Sequence, residues 1–466
     1  MLGMGNMRQW LMNISLVGGW FPAAAFAVIA VLSVTLLVSA AVSKRDGRIL
    51  ATVLPIGVAA VSGMVGYVVA WLLSDVFVVF GVGLGSRVMS WVAAGFAIAG
   101  FAIVHIVLSR GMMRVAAAIL TVFAILAAAI GIDQSYGEYA TIGSLFGEDS
   151  YSQADLTGLA KRKDLITVAQ WRKQAANGTI RNIPANGTVN KIDIPATKSQ
   201  FEARKALVYL PPAALADSKR KPALPVVLML SGQPGSPGRV FQAGGIQTMM
   251  DGYAKTHDGL APIVIAADQL GADSHNTLCM DSKVYGNALT YLTQDVVDWV
   301  KTNLPAAQDA KDWAIAGFSQ GATCSLQIGV NHPDLFGTMI PTDSEIKPTN
   351  GSRQEMIDRF FDGDTTAYEN QVPVNAIRNH APTHQMLIIG AGEKDTTSIR
   401  NVKTIAPVAA KAGMRVAAVE SSGNAHDWHA VQDVLRYGLA VFGHDTGLDG
   451  ANPNLSDYPN LKRITI

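Results

Sequence analysis

Charge is scarce in this 466-residue chain: only 16% of residues are Asp, Glu, Lys or Arg, and mean hydropathy is +0.24. Ordinary soluble domains carry about 25% charge, so part of the chain is expected to sit in lipid. Acids are scarcest at the N-terminal end, where Asp46 and Asp75 are the only carboxylates in residues 1–131. Net charge is +1, and no Lys/Arg cluster alternates with aromatics. That excludes an argument for nucleic acid or for a strongly anionic partner. There are only two cysteines, Cys279 and Cys324, and no Cys/His spacing of the metal-binding kind. No metal or other cofactor is expected. The length itself suggests two or more domains.

What is abundant is apolar sequence, unevenly placed. Four long runs extend from about 18 to 42, 49 to 73, 88 to 108 and 115 to 132. A spanning helix needs about 20 apolar residues, so four transmembrane spans are predicted, the fourth slightly short. The first is too long for a cleaved leader and has only Arg8 before it. Basic residues set the orientation. Lys44, Arg45 and Arg48 follow the first run, and Arg110 with Arg114 follow the third, against Arg8 and Arg87 elsewhere. Loops one and three are therefore expected in the cytoplasm, with both termini outside. No Lys, Arg or acid lies deep in a span, and His105 is the one ionisable candidate. Transporters place charges inside the bundle, so His105 is read as packing against a neighbouring helix and the spans as an anchor. Gly81-Val82-Gly83-Leu84-Gly85 follows no globular strand, and small residues for helix packing explain it better than a phosphate loop.

From residue 133 to 200 the sequence is polar, with Asn-Gly turns at Asn177 and Asn186, and reads as a connector. Beyond it, strand patterns alternate with helical ones, the signature of a mostly parallel sheet with helices on both faces. Buried strands are predicted at Val226–Leu230, Ile263–Ala267, Trp313–Ala316 and Met386–Ile389, with further strands at Ala206–Tyr209 and Val416–Val419. Helices are predicted at Leu289–Leu304, Thr323–Val330, Val408–Ala412 and Trp428–Val441. The expected organisation is an anchor over 1–132, a connector over 133–200, and a doubly wound α/β domain over 201–466.

One motif carries chemistry. Gly317-Phe318-Ser319-Gln320-Gly321 follows the strand Trp313–Ala316 and opens a helical pattern. Strand, G-x-S-x-G, helix is the nucleophile elbow of an α/β-hydrolase; the competing reading is a glycine-rich structural turn. Ser319 would attack an ester through a covalent acyl-enzyme. The carboxylate is expected on the loop after a late strand, where Gly390-Ala391-Gly392-Glu393-Lys394-Asp395 lies. Asp395 is preferred there to Glu393. The base is read as His426, in the loop before the last helix, in preference to His429, which falls inside that helix. Oxyanion donors are expected from backbone: the N–H of Gln320 and, from the loop Ser231–Gly235, that of Gln233. Trp428 would pack beside the site. Asp268, Asp281 and Asp343 also follow strands or line this edge and are given substrate-loop or structural roles. Cys279 and Cys324 are a candidate disulfide outside the cytoplasm, two buried thiols being the alternative.

Five segments together resemble the putative-esterase family, which includes S-formylglutathione hydrolases and bacterial mycolyltransferases. They are Val227–Gln233, Tyr291–Val296, Gly317–Ala322, His332–Phe336 and His426–Trp428, within about residues 190–445. The resemblance implies an α/β-hydrolase fold with a Ser-acid-His triad at Ser319, Asp395 and His426. Ser231 stands where the family more usually has His or Asp, and the four spans depart from both soluble relatives. The layout resembles membrane-anchored esterases of bacteria with mycolate envelopes, some of which remove aminoacyl groups from lipids. The expected protein is thus a bacterial multi-pass membrane esterase with its catalytic domain extracytoplasmic. Its expected partners are the bilayer and an envelope or lipid-linked ester, with no nucleic acid. An acyltransferase using the same triad is the alternative, and a non-catalytic envelope scaffold the reading from another class.

Overall fold

A computed structural model describes residues 4–42, 48–77, 84–148, 151–160, 164–180 and 182–466. Lys44 and Arg45 of the expected first loop, and Gly81–Gly83, lie outside the described residues. The chain divides into two compact units: Met1–Glu148 with Ala425–Asp427, and Asp149–Asn424 with Trp428–Ile466.

Among the described residues the first unit holds four helices long and apolar enough to cross a membrane: Trp20–Ala41, Ala51–Val76, Gly85–Leu108 and Met112–Tyr136. We label as α1 Trp20–Ala41, α2 Arg48–Trp71, α3 Gly85–Leu108 and α4 Met112–Tyr136; a π-helical turn, Leu72–Val76, extends α2. The fourth is longer than its apolar run predicts, because polar Asp133-Gln134-Ser135 continues the helix. Among the described residues, Leu36, Phe101, Ala102, Ala117 and Leu120 form the bundle's core. Small residues let the helices close up. A Cβ on Gly95 would lie 2.8 Å from the Ala128 Cβ, and one on Gly131 would run into the Trp91 indole. His105 is buried, its ring centroid 4.6 Å from that of Phe101.

The second unit is built on a ten-stranded sheet. In chain order its strands are β1 Ser152–Gln153, β2 Thr188–Ile192, β3 Ala206–Leu210, β4 Val226–Leu230, β5 Ile263–Ala266, β6 Trp313–Phe318, β7 Thr338–Thr342, β8 Met386–Gly392, β9 Arg415–Ser421 and β10 Leu461–Arg463. Across the sheet the order is β1-β2-β3-β5-β4-β6-β7-β8-β9-β10. The six central strands, β5 to β9 with β4 among them, run parallel, while β3 and β10 pair antiparallel to their inner neighbours. Every residue of β4 and β6 is buried, as expected when helices cover both faces. The alternation of side chains shows in the two cores. Leu228, Leu230 and Ile315 belong to one, and Val227, Met229, Ala314 and Ala316 to the other. Helices of this unit include α5 Ile246–Lys255, α6 Val296–Asn303, α7 Gln320–Asn331, α8 Thr396–Lys411 and α9 Trp428–Asp445.

The stretch expected as a connector differs from that expectation. Residues from Asp149 belong to the second unit, and β1 and β2 extend its sheet. β1 has only two residues, and the polar residues of both strands are exposed or half-buried, so their two-residue period is faint in the sequence. The helix expected at Leu289–Leu304 is interrupted by a π-helical turn at Tyr291–Asp295. Asp295 is buried there and accepts the backbone N–H groups of Lys198 (2.9 Å) and Ser199 (3.0 Å). α8 starts twelve residues earlier than the expected Val408 and carries Pro407 inside it.

Candidate active site

The C-terminal ends of β4 and β6 to β9 lie at one edge of the sheet, where ligands bind in open α/β folds. The turn after β6 is tightest. Ser319 has φ +56° and ψ −116°, a strained backbone for a residue with a side chain. Its N–H donates to the Thr342 carbonyl of the adjacent strand at 3.0 Å, and its own carbonyl accepts the Thr323 N–H at 3.0 Å. The flanking glycines allow this closeness. A Cβ on Gly317 would meet the Gly321 carbonyl and sit 2.8 Å from the Ala322 nitrogen. One on Gly321 would collide with the Ser231 carbonyl and lie 2.6 Å from that of Leu230. These obstacles are backbone and cannot swing away. Gly321→Ala should therefore cost about 2 to 4 kcal/mol of stability, read from denaturant unfolding of the purified chain.

The loop Ser231–Gly235 passes beside the nucleophile. A Cβ on Gly232 would stand 3.3 Å from the Phe318 ring and 3.6 Å from the Ser319 Cβ. Gln320 opens α7, so its N–H has no acceptor within the helix. The Gln320 side chain is buried and turned away, its Nε2 donating to the Asn276 Oδ1 at 3.3 Å. Behind the serine, Trp428 packs on Phe318 with ring centroids 5.0 Å apart.

Asp395 follows β8 and caps α8, its Oδ1 accepting the Ser398 N–H at 3.0 Å, and it is buried. Asp343 follows β7 and is fully buried. Its N–H donates to the Gly390 carbonyl, and its Oδ1 accepts the Gly392 N–H, both at 2.9 Å. Asp343 thus braces the strand end that leads to Asp395. His426, half-buried on the loop between β9 and α9, joins them. One carboxylate oxygen from each aspartate and one ring nitrogen of His426 all fall within 4.8 Å of one another. That spacing alone could hold a cation; a histidine beside buried carboxylates is equally what general-base catalysis asks for, since they steady its imidazolium. Glu393 faces elsewhere. Its carboxylate accepts the Gly423 N–H at 2.7 Å and pairs with Lys462 at 3.0 Å. These two partners hold its carboxyl below the usual range. His429 is the second residue of α9. Asp281 is structural, accepting the Thr290 N–H at 2.9 Å and hydroxyl at 2.6 Å.

Cys279 and Cys324 are joined in a disulfide with Cα atoms 5.7 Å apart. It ties the loop after β5 to α7. The bridge spans 45 residues of sequence, which loop entropy values at about 4 kcal/mol. The double variant Cys279→Ala/Cys324→Ala should lose about 2 to 4 kcal/mol of unfolding free energy, measured in urea.

The family model described as Putative esterase matches residues 198–438. The chain belongs to this family. It is accordingly an α/β-hydrolase and an enzyme of the serine-hydrolase class. A relative within reach is an uncharacterized protein of Corynebacterium glutamicum, 32% identical over 333 residues, which are 70% of this chain and 74% of the relative. Among solved structures, an S-formylglutathione hydrolase from Agrobacterium tumefaciens is 16% identical with a TM-score of 0.46, covering 57% of this chain and 99% of its own. MPT51 of Mycobacterium tuberculosis is 13% identical with a TM-score of 0.40, covering 55% of this chain and 98% of its own.

Proposed function

We propose that the protein is a membrane-anchored serine esterase that hydrolyses an envelope or lipid-linked ester, acyl or aminoacyl. The observation that carries this reading is the strained Ser319 in the turn after a buried central strand, with Asp395 and His426 on loops from the same sheet edge. His426 takes the Ser319 proton as the oxygen attacks the ester carbonyl. The carbonyl oxygen becomes an oxyanion, met by the N–H groups of Gln233 and Gln320. The C–O bond to the alcohol then breaks, and His426 returns its proton to the leaving alkoxide. Water repeats the sequence on acyl-Ser319, releasing the acid and the free serine. Asp395 orients the imidazole and offsets its positive charge.

Four apolar helices in the same chain suit an amphiphilic substrate that stays in a bilayer. Arg110 between the third and fourth helices and Arg114 in the first turn of the fourth favour the cytoplasm. That orientation puts both termini and the hydrolase domain outside a bacterial membrane. The full chain in detergent should release acid from a p-nitrophenyl ester and then from extracted envelope lipids. No release from either substrate would contradict the reading, and transfer to an added alcohol in place of water would make the enzyme an acyltransferase. Protease added to intact spheroplasts should remove the hydrolase domain; protection of that domain would reverse the topology.

A further inference from the structure

The loop that carries Gln233 is gripped from outside at both ends, at Ser231 and at Gly235. We propose that the buried dipeptide Asp268-Gln269, after β5, positions the oxyanion hole, with Gln269 coupling its two donors. This rests on the acyl-serine reading above.

Both side chains are fully buried, though neither is apolar, and each bonds to the loop Ser231–Gly235 or to the group that grips it. Gln269 holds the start of that loop. Its Nε2 donates to the Ser231 carbonyl at 2.7 Å and lies 3.3 Å from the Ser231 Oγ. Asp268 holds the end of the loop through Arg204. The Arg204 Nη2 donates to the Gly235 carbonyl at 2.9 Å and to the Asp268 Oδ1 at 2.7 Å, while its Nε meets the Asp268 Oδ2 at 3.0 Å. The Arg204, Leu270 and Gly271 N–H groups also donate to this carboxylate, at 2.7, 3.1 and 3.1 Å. A carboxylate so fully engaged has no capacity left for substrate, which fits a clamp and not a catalytic group.

Gln269 does more than hold one loop. The same Nε2 lies 3.2 Å from the Gln320 Oε1, and the Gln320 Nε2 reaches on to Asn276. The residues contributing the two proposed donor N–H groups, Gln233 and Gln320, are thus registered against each other through one amide. The Thr277 hydroxyl donates to the Gln269 carbonyl at 2.6 Å, fixing that amide's own backbone. Oxyanion donors must lie about 2.7 to 3.1 Å from the oxyanion to act, and a displacement of about 1 Å can cost about 100-fold in rate. A positioning amide is where such precision would be set.

Gln269→Met keeps the length and removes the donor. We expect kcat on p-nitrophenyl acetate to fall about 10- to 100-fold per active site, counted by end-point fluorophosphonate titration, with KM within about threefold. The Ki of a trifluoromethyl ketone should rise by the same factor as kcat/KM falls, because it mimics the transition state. Gln269→Glu, which turns a carboxylate toward the Ser231 carbonyl, should be worse than Met. Arg204→Lys loses the planar fork and carries the same test should Gln269→Met not accumulate as folded protein. A purely structural role would instead reduce the number of titratable sites and leave kcat per site and the Ki unchanged; that result overturns the proposal. Wild type that neither labels nor hydrolyses would overturn the esterase reading, and this proposal with it.

Discussion

Ser319→Ala should lower kcat/KM for any ester substrate by about 10⁴- to 10⁶-fold, since nothing else can form the acyl-enzyme and a lost nucleophile costs about that much in serine hydrolases. Thermal unfolding should barely move. Alanine occupies the same strained backbone, φ +56°, that serine does, and the hydrogen bonds that fix the turn run through the backbone: Ser319 N–H to Thr342, Thr323 N–H to Ser319. Removing Oγ therefore leaves the elbow closed and chemically empty. The contrast with Gly321→Ala is informative. There the added atom meets backbone, so stability falls along with activity.

Asp395→Asn should lower kcat by about 10³- to 10⁴-fold, because an amide favours the wrong histidine tautomer and no longer offsets the imidazolium. Folding should persist: Asn caps helices about as well as Asp, so the bond from the Ser398 N–H to position 395 can be kept. Glu393→Gln should change kcat by less than about threefold, since that carboxylate is spent on Gly423 and Lys462 at the surface. Asp343→Asn should fall between them, as its carboxylate neighbours the same group but already accepts the Gly392 N–H. Steady-state kinetics on the four proteins give the ranking. If Asp343→Asn were the damaging change and Asp395→Asn mild, the acid would be Asp343.

The central strands are legible because burial on both faces leaves a continuous apolar run, as in Val226–Leu230, where the sequence and the structure agree residue for residue. β7 is not. Pro341 sits inside it, between β6 and β8, and proline in a central strand argues against a strand. With β7 hidden, Asp343 is legible only as one of three aspartates at this edge with a substrate-loop or structural role, and its place next to Asp395 and His426 cannot be read. The edge strand β1 and its neighbour β2 escape for a different reason: they are half-polar, so composition mistakes them for a linker. Local signals suffice for Ser319, whose glycines and flanking strand lie within a few residues. They cannot reveal Gln269. Its partners Ser231 and Gln320 are 38 and 51 residues away in the chain, and a buried glutamine on a loop has no sequence period to betray it.

The measurement that bears most directly on the acyl-serine account is to label the full-length protein with a fluorophosphonate, digest it, and locate the adduct by tandem mass spectrometry. The account predicts one adduct per chain, on the Ser319 hydroxyl, and none in Ser319→Ala. Wild-type protein that is folded yet takes up no label, or takes it up at another residue, would contradict it.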